Sequence, residues 1–171
     1  MSKGFSRSLR RGAPAQSPIS RSRILLSAVA ITVANGSSAP GIGTAVVGDL
    51  PEGNILVLGA VAYIKFDATG DTDATATWNG DYSVGSAPNA DADLTDAADF
   101  DLIASTAVGP AVARVSPVTR GVNAAQSMLD NTDGSLEVNL NLMIDDADQS
   151  GAVSVLATGY IDIAFIVLSD D

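Results

Sequence analysis

The chain has 171 residues, contains neither cysteine nor histidine, and carries 20 acidic against 9 basic residues, for a net charge of −11. The lack of cysteine excludes disulfides, thiolate metal sites and cysteine nucleophiles, and the lack of histidine removes the commonest acid–base group and metal ligand. The composition favours a one-domain structural or binding protein over an enzyme, and no cofactor is predicted.

The charge is divided unevenly along the chain. Residues 1–23 contain no acid and six basic residues, which are Lys3, Arg7, Arg10, Arg11, Arg21 and Arg23. Residues 24–171 hold all 20 acids and carry a charge of −17. Because a polar, charged segment buries too little apolar surface to order by itself, residues 1–23 are predicted to be an extended basic arm. Residues 24–171 are predicted to form the folded domain.

The arm has three functional interpretations, and a plain solvated tail is the alternative to all of them. It docks on an acidic protein surface, or it is the start of a signal segment that spans residues 1–34 with a small-residue site at Ala28 and Ala30, or it neutralises phosphates of a nucleic acid. The acidic body opposes a nucleic-acid partner, and the polar lead is long for a signal. Docking is therefore preferred, with partner contacts assigned to the arginines, which are Arg7, Arg10, Arg11, Arg21 and Arg23.

Residues 55–66 and 153–168 are apolar at both alternating positions for most of their length. Both are shorter than the roughly 18–20 uninterrupted apolar residues of a membrane helix, so no membrane partner is predicted. A strand that is apolar on both sides belongs to a sheet whose two faces are covered. In a sandwich one face meets the second sheet, and the other needs a loop, the arm or another subunit; burial by the chain itself and burial in an oligomer both remain open.

Three further segments give local predictions. Residues 74–84 are predicted to form a tight hairpin around Asn79 and Gly80, a pair that suits a type I′ turn. Residues 93–103 fit either one or two helical turns or a strand. Residues 136–144 alternate strictly between apolar and polar side chains, which predicts a strand with Val138, Leu140 and Leu142 buried and the intervening residues exposed to water.

Short strands separated by turns rich in Gly, Pro, Asn and Asp indicate an all-β fold. The prediction is an antiparallel β-sandwich or jelly-roll-like body with an extended N-terminal arm.

Motifs for chemistry are few. Asp146, Asp148 and Ser150 stand at positions one, three and five before Gly151, as in the opening of a calcium loop, but Ala157 replaces the glutamate that an EF-hand needs. A shallower calcium site is therefore the alternative to a plain acidic turn there, and no metal site is predicted. Without histidine to activate a serine, and with no phosphate-binding loop, no catalytic residue is assigned and the protein is predicted not to be an enzyme.

Three stretches resemble small structural proteins of tailed-phage virions, in particular head decoration, or cement, proteins. They are DLPEGNILVLGAVAY at 49–63, WNGDYSVGSAP at 78–88 and DNTDGSLEVNLNLMIDD at 130–146, and the likeness runs from about residue 45 to the last residue. The resemblance implies a β-sandwich or jelly roll, commonly a trimer at local threefold axes of the capsid, and no catalytic residues.

The functional expectation is a capsid decoration protein on the outer surface of the virion, which binds and stabilises the phage head as an oligomer. Its expected partners are the major capsid protein and copies of itself, with a homotrimer as the expected assembly. The alternatives are another virion component, such as the major capsid protein, a head-fibre base or a tail protein, and an exported cell-surface protein with residues 1–34 as its signal segment.

Overall fold

A computed structural model of the protein describes residues 19–35, 38–89, 93–94, 96, 98, 100–122 and 127–169. These residues form nine β-strands: β1 (Ser20–Val33), β2 (Gly41–Asp49), β3 (Gly53–Asp67), β4 (Gly80–Gly85), β5 (Ile103–Val108), β6 (Thr119–Val122), β7 (Ser127–Asn131), β8 (Glu137–Ile144) and β9 (Val153–Ser169). A short 3-10 helix, Asp146–Asp148, lies between β8 and β9. None of the helical structure in these residues is long and apolar enough to cross a membrane.

The strands form two antiparallel sheets that pack against each other. Sheet A has the order β1-β9-β3-β6, with β7 pairing to β3 beyond the end of β6, and sheet B has the order β2-β8-β4-β5. If β6 and β7 are taken as one interrupted strand, successive strands alternate between the sheets except for β4 and β5, which are neighbours in sheet B, and this is the order of a jelly roll. The predicted all-β sandwich is confirmed.

The core lies between the two sheets and is built from alternate residues of their facing sides. Its fully buried strand residues include Ile31, Ile55, Ile64, Leu140, Leu142 and Ile161. Phe66 of β3 and Tyr82 of β4 connect the sheets, with ring centres 5.4 Å apart. Trp78, just before β4, is also fully buried, and its indole N–H donates to the carbonyl of Arg114 at 3.1 Å.

The two stretches that are apolar on both sides became the central strands of sheet A. β3 and β9 pair along nearly their whole length, from Asn54 with Ser169 to Asp67 with Leu156. The first strand of the sheet, β1, starts at Ser20, so Arg21 and Arg23 of the expected arm are part of sheet A. Arg7, Arg10 and Arg11 lie outside the described residues.

The strand predicted at residues 136–144 is β8, and its apolar side chains face the core as expected. The expectation that Asn139 and Asn141 are exposed is wrong, because both are buried. The segment after β4 explains the burial of Asn141. The Asn141 amide oxygen accepts from the Asn89 backbone N–H at 3.0 Å, and its amide nitrogen donates to the Ala87 carbonyl at 3.2 Å. The outer side of sheet B is thus covered by the chain itself at this point.

The hairpin predicted at residues 74–84 is also wrong. Residues 74–79 form turns and an isolated bridge, and β4 pairs instead with β5 and β8. The Asp148 carboxylate holds Asn79 in place, accepting from its backbone N–H at 2.7 Å and its side-chain amide at 3.1 Å.

For residues 93–103, either helical turns or a strand was expected. Leu94 and Leu102 are buried, and β5 begins only at Ile103, so the described residues from 93 to 102 contain no strand.

Candidate interaction face

The side of sheet A that points away from sheet B is not part of the core and carries several exposed apolar side chains. We call it the A face and define it by the outward residues of β1, β3, β6, β7 and β9. Directly paired residues of neighbouring antiparallel strands lie on the same face, so the register gives its rows. One row holds Leu25, Tyr160, Tyr63 and Arg120, the next Arg23, Asp162, Val61 and Val122, and the next Arg21, Ala164 and Gly59.

The A face is apolar over much of its area. Leu25 is 73% exposed, Met128 65%, Val122 43% and Leu156 41%. Between them Tyr63 and Tyr160 are half-buried and pack against each other across β3 and β9, with ring centres 5.4 Å apart. Several large exposed apolar side chains on one face of a sheet mark a candidate interaction surface.

An ion pair stands in the middle of this apolar surface. The Arg23 guanidinium donates from Nε to Asp162 Oδ1 at 2.7 Å and from Nη2 to Asp162 Oδ2 at 2.6 Å, and it lies 4.5 Å from the centre of the Tyr160 ring. The hydrogen bonds from Arg23 lower the pKa of the Asp162 carboxyl below its usual value, and the charge of Arg21 acts in the same direction. Asp162 is therefore an ionised carboxylate whose charge is balanced by Arg23 on the A face.

Charge is segregated between the A face and the rest of the described surface. Four of the five described basic residues belong to the A face: Arg21, Arg23, Lys65 and Arg120. Three of the 16 described acidic residues also lie on the A face: Asp67, Asp130 and Asp162. The other described residues hold Arg114 and thirteen acids. The A face is thus slightly positive on an otherwise strongly negative body, which favours an acidic partner surface.

The acidic loop at residues 146–150, the alternative calcium site, forms hydrogen bonds with other parts of the chain. Asp148 accepts from Asn79 and from the Thr75 hydroxyl at 3.1 Å, Asp146 accepts from the Ser38 backbone N–H at 3.2 Å, and the Ser150 hydroxyl donates to Asp73 Oδ1 at 3.2 Å. In the described ranges no three acidic residues are grouped so that they could hold a metal ion. The carboxylates of this loop fix turns.

A second acidic cluster, Asp67, Asp71 and Asp73, has the same role. The Asp71 carboxylate accepts from the backbone N–H of Asp73 at 2.9 Å and of Ser154 at 2.8 Å, and these bonds lower its pKa below the usual value. Asp67 accepts from the backbone and hydroxyl of Thr69, which lowers its pKa in the same way. Carboxylates that cap backbone N–H groups in this manner stabilise the ends of strands.

Of the five arginines predicted to bind a partner, Arg21 and Arg23 both lie on the A face. Sequence reasoning assigned no role to Tyr63, Tyr160 or Arg120, which share the face with them. The available signal was the apolar character of β3 and β9 on both sides, which predicted a second buried face but not its composition.

Comparison of the chain with protein-family models, with curated proteins and with solved structures finds no match. The A face is therefore the part of the molecule from which we propose a function.

Proposed function

We propose that the protein is a capsid decoration, or cement, protein of a tailed phage that binds the outer surface of the head through its A face. The observation that carries the proposal is an exposed apolar face, bearing four basic residues, on an otherwise acidic sandwich. Its partners are then the major capsid protein and further copies of this chain in an oligomer, with a homotrimer as the proposed assembly.

The physical character of the A face suits permanent adhesion. Apolar burial contributes about 25 cal/mol per Å² removed from water, and a standard interface covers roughly 800 Å² on each partner. A face built from three long strands, β1, β3 and β9, and two short ones, β6 and β7, offers an area of that order. Its basic residues would steer the protein toward acidic surfaces and set the orientation, while apolar contact supplies most of the affinity.

The basic residues that precede β1 add a second contact in this proposal. Lys3, Arg7, Arg10 and Arg11 give residues 1–18 a charge of +4. The slightly positive A face does not attract such a segment, whereas an acidic subunit surface does. We therefore assign Arg7, Arg10 and Arg11 to contacts with the capsid or with a neighbouring copy.

The position of β1 favours this proposal over an exported protein with residues 1–34 as its signal segment. β1 pairs with β9 from Ser20 to Val33 and buries Leu26, Ile31 and Val33 in the core. Cleavage near Ala30 would remove most of this strand and expose one side of β9. The fold therefore favours a protein that keeps residues 20–33.

The test is reconstitution on phage particles that lack this protein. We expect purified protein to bind such particles to a fixed copy number per major capsid subunit and to raise the temperature at which the heads release DNA. Deletion of residues 2–18, which leaves β1 whole, should weaken binding at physiological salt. A protein that is absent from purified native particles, or that fails to bind the depleted ones, would contradict the proposal.

A further inference from the structure

The A face contains a notch at the row of Arg21, Ala164 and Gly59. Two neighbouring positions in this row carry almost no side chain, whereas the adjacent rows carry Val61 and Leu56. The resulting depression has a volume of about 280 Å³ and is lined mainly by Arg21, Leu58, Gly59, Val61, Asp162 and Ala164. This volume is at the lower limit of the roughly 300–1,000 Å³ of small-molecule sites, and a protruding side chain would fit in it.

The chemistry of the notch is asymmetric. Its floor is the backbone of Gly59 and the methyl group of Ala164, and its walls are the aliphatic side chains of Leu58 and Val61. Its rim on the β1 side is Arg21, whose side chain forms no hydrogen bond and no ion pair with the residues that the structure describes. Asp162, on the adjoining row, is already bound by Arg23.

We propose that this notch receives an apolar side chain of an acidic partner protein, and that Arg21 binds a carboxylate next to that side chain. The inference rests on the function proposed above for the identity of the partner, a capsid subunit. A guanidinium binds a carboxylate at two points, so Arg21 would fix the orientation of the contact while the apolar side chain fills the floor. Anchors of this kind, an inserted side chain beside a charged pair, dominate the energy of many interfaces.

A second copy of this chain fits the notch less well than an acidic partner does. Face-to-face pairing would bring the four basic residues of two A faces together. Apart from sheet A and Ile19 just before it, the exposed large apolar residues in the described ranges are Val46, Val112 and Val118. Val46 lies beside the uncharged Thr44 and Asn139. Val112 and Val118 belong to residues 102–122, which contain two arginines and no acid. Val112 pairs with Val115, which also pairs with Asp67, but the Asp67 carboxylate is already bound by Thr69.

Gly59 offers a sharp test because a side chain there fills the notch without disturbing the fold. A Cβ at Gly59 would meet no atom within 4 Å, and the same is true of Gly70, in the turn after β3 at the other end of the strand. Gly59→Leu should therefore fold as well as the parent protein and lose the partner, and Gly70→Leu is the matched control. Arg21→Glu is the second variant, because it reverses the charge on the rim and leaves the floor open.

Two measurements use these variants. Amide NMR spectra of the full chain are recorded with millimolar N-acetyl-Leu-Asp-Asp-amide and with the basic counterpart N-acetyl-Leu-Lys-Lys-amide. Binding to particles lacking the protein is measured in parallel, together with self-association by ultracentrifugation. We expect the acidic peptide alone to shift the amides of Arg21, Gly59 and Ala164. Gly59→Leu and Arg21→Glu should abolish these shifts and weaken particle binding by about tenfold or more, whereas Gly70→Leu should change neither.

Each contrary result has a separate meaning. If the acidic peptide shifts none of these amides, or if Gly59→Leu binds particles like the parent, the notch proposal is overturned while the decoration role stands. If Gly59→Leu loses self-association and keeps particle binding, a second copy occupies the notch and the proposal is again overturned. If the parent protein does not bind particles but the acidic peptide still binds the notch, the decoration role fails and the notch chemistry is supported.

Discussion

Arg23 on β1 and Asp162 on β9 are joined by two hydrogen bonds, of 2.7 and 2.6 Å, although 139 residues separate them in the sequence. The pair neutralises an acid near the centre of an apolar face and attaches the edge strand to the middle of sheet A. Because Arg23 is engaged by Asp162, Arg21 is the arginine of β1 that remains available to a partner. The contrast between these two arginines links the fold to the proposed docking.

The first prediction concerns the titration of Asp162. The hydrogen bonds from Arg23 lower the pKa of Asp162. The pair therefore stabilises the fold at pH values above the ordinary carboxyl pKa of about 3.9, and this stabilisation is lost as the pH falls through the lowered pKa. Arg23→Met should raise the pKa of Asp162 toward its ordinary value, as measured by carboxyl-carbon NMR. It should also lower the melting temperature slightly at neutral pH and less in acid.

Arg120→Met is the matched control for this prediction, because Arg120 lies on the same face and makes no ion pair with the described acids. It should leave the Asp162 titration unchanged. An unaltered Asp162 pKa in Arg23→Met would show that the hydrogen bonds from Arg23 do not lower this pKa.

The second prediction separates two neighbouring buried asparagines on β8. The Asn141 side chain accepts from the Thr44 hydroxyl at 2.7 Å and holds the segment at Ala87 and Asn89, whereas neither amide atom of Asn139 has a hydrogen-bond partner in the described structure. Asn141→Leu should therefore cost about 1–3 kcal/mol in the free energy of unfolding, because it leaves buried groups unpaired.

Asn139→Leu should instead be neutral or stabilising, since it removes a buried polar group that has no partner. Chemical denaturation measures both variants, and hydrogen exchange at the Asn89 amide should accelerate in Asn141→Leu alone. Equal losses of stability in the two variants would show that the bonds of Asn141 do not hold this segment.

The third prediction concerns Gly159 in the middle of β9. Its φ of +151° is rarely adopted by other residues, and a Cβ there would collide with the backbone carbonyl oxygen of Tyr63 on β3. Gly159→Ala should therefore cost more than about 2 kcal/mol in the free energy of unfolding, because two paired central strands would have to separate. Gly70→Ala, at an open turn, is the control and should be close to neutral; a Gly159→Ala protein as stable as the parent would contradict this account of the strand pair.

The fourth prediction is that the acidic loop at residues 146–150 does not require calcium. Both carboxylate oxygens of Asp148 accept internal hydrogen bonds, from Thr75 and from Asn79. A bound ion would stabilise the folded state by mass action, so equal melting temperatures in millimolar calcium and in EDTA are expected. Asp148→Ala should lower the melting temperature in both solutions, and a calcium-dependent rise in the parent protein would contradict the assignment.

The elements that alternation alone determines could be predicted from the sequence. The buried side of β8 follows from the spacing of its apolar residues. The apolar character of residues 55–66 and 153–168 on both sides indicated strands with two covered faces, but it did not give their place in the sheet. The hairpin at Asn79 failed because its turn is held by Asp148, 69 residues away. The burial of Asn141 was also not predictable, since it depends on a segment that crosses the outside of sheet B.

The candidate site could be predicted only in part, because the pairing of distant strands decides which residues it contains. The charge division assigned Arg21 and Arg23 to a partner-binding role, and the character of β3 and β9 indicated a second face that needs a cover. Pairing of distant strands decides which residues share that face, and this pairing brings Arg23 to Asp162 and Tyr63 to Tyr160. Local sequence patterns contain no such register.

The most direct test of the docking role is a side-chain-resolution cryo-EM reconstruction of the native phage particle. We predict that this chain lies on the outside of the head, that another subunit covers its A face around Arg21, Gly59 and Tyr160, and that acidic side chains of that subunit face Arg21. A particle without this chain, or one in which the A face is open to solvent while a different surface makes the contact, would contradict the account.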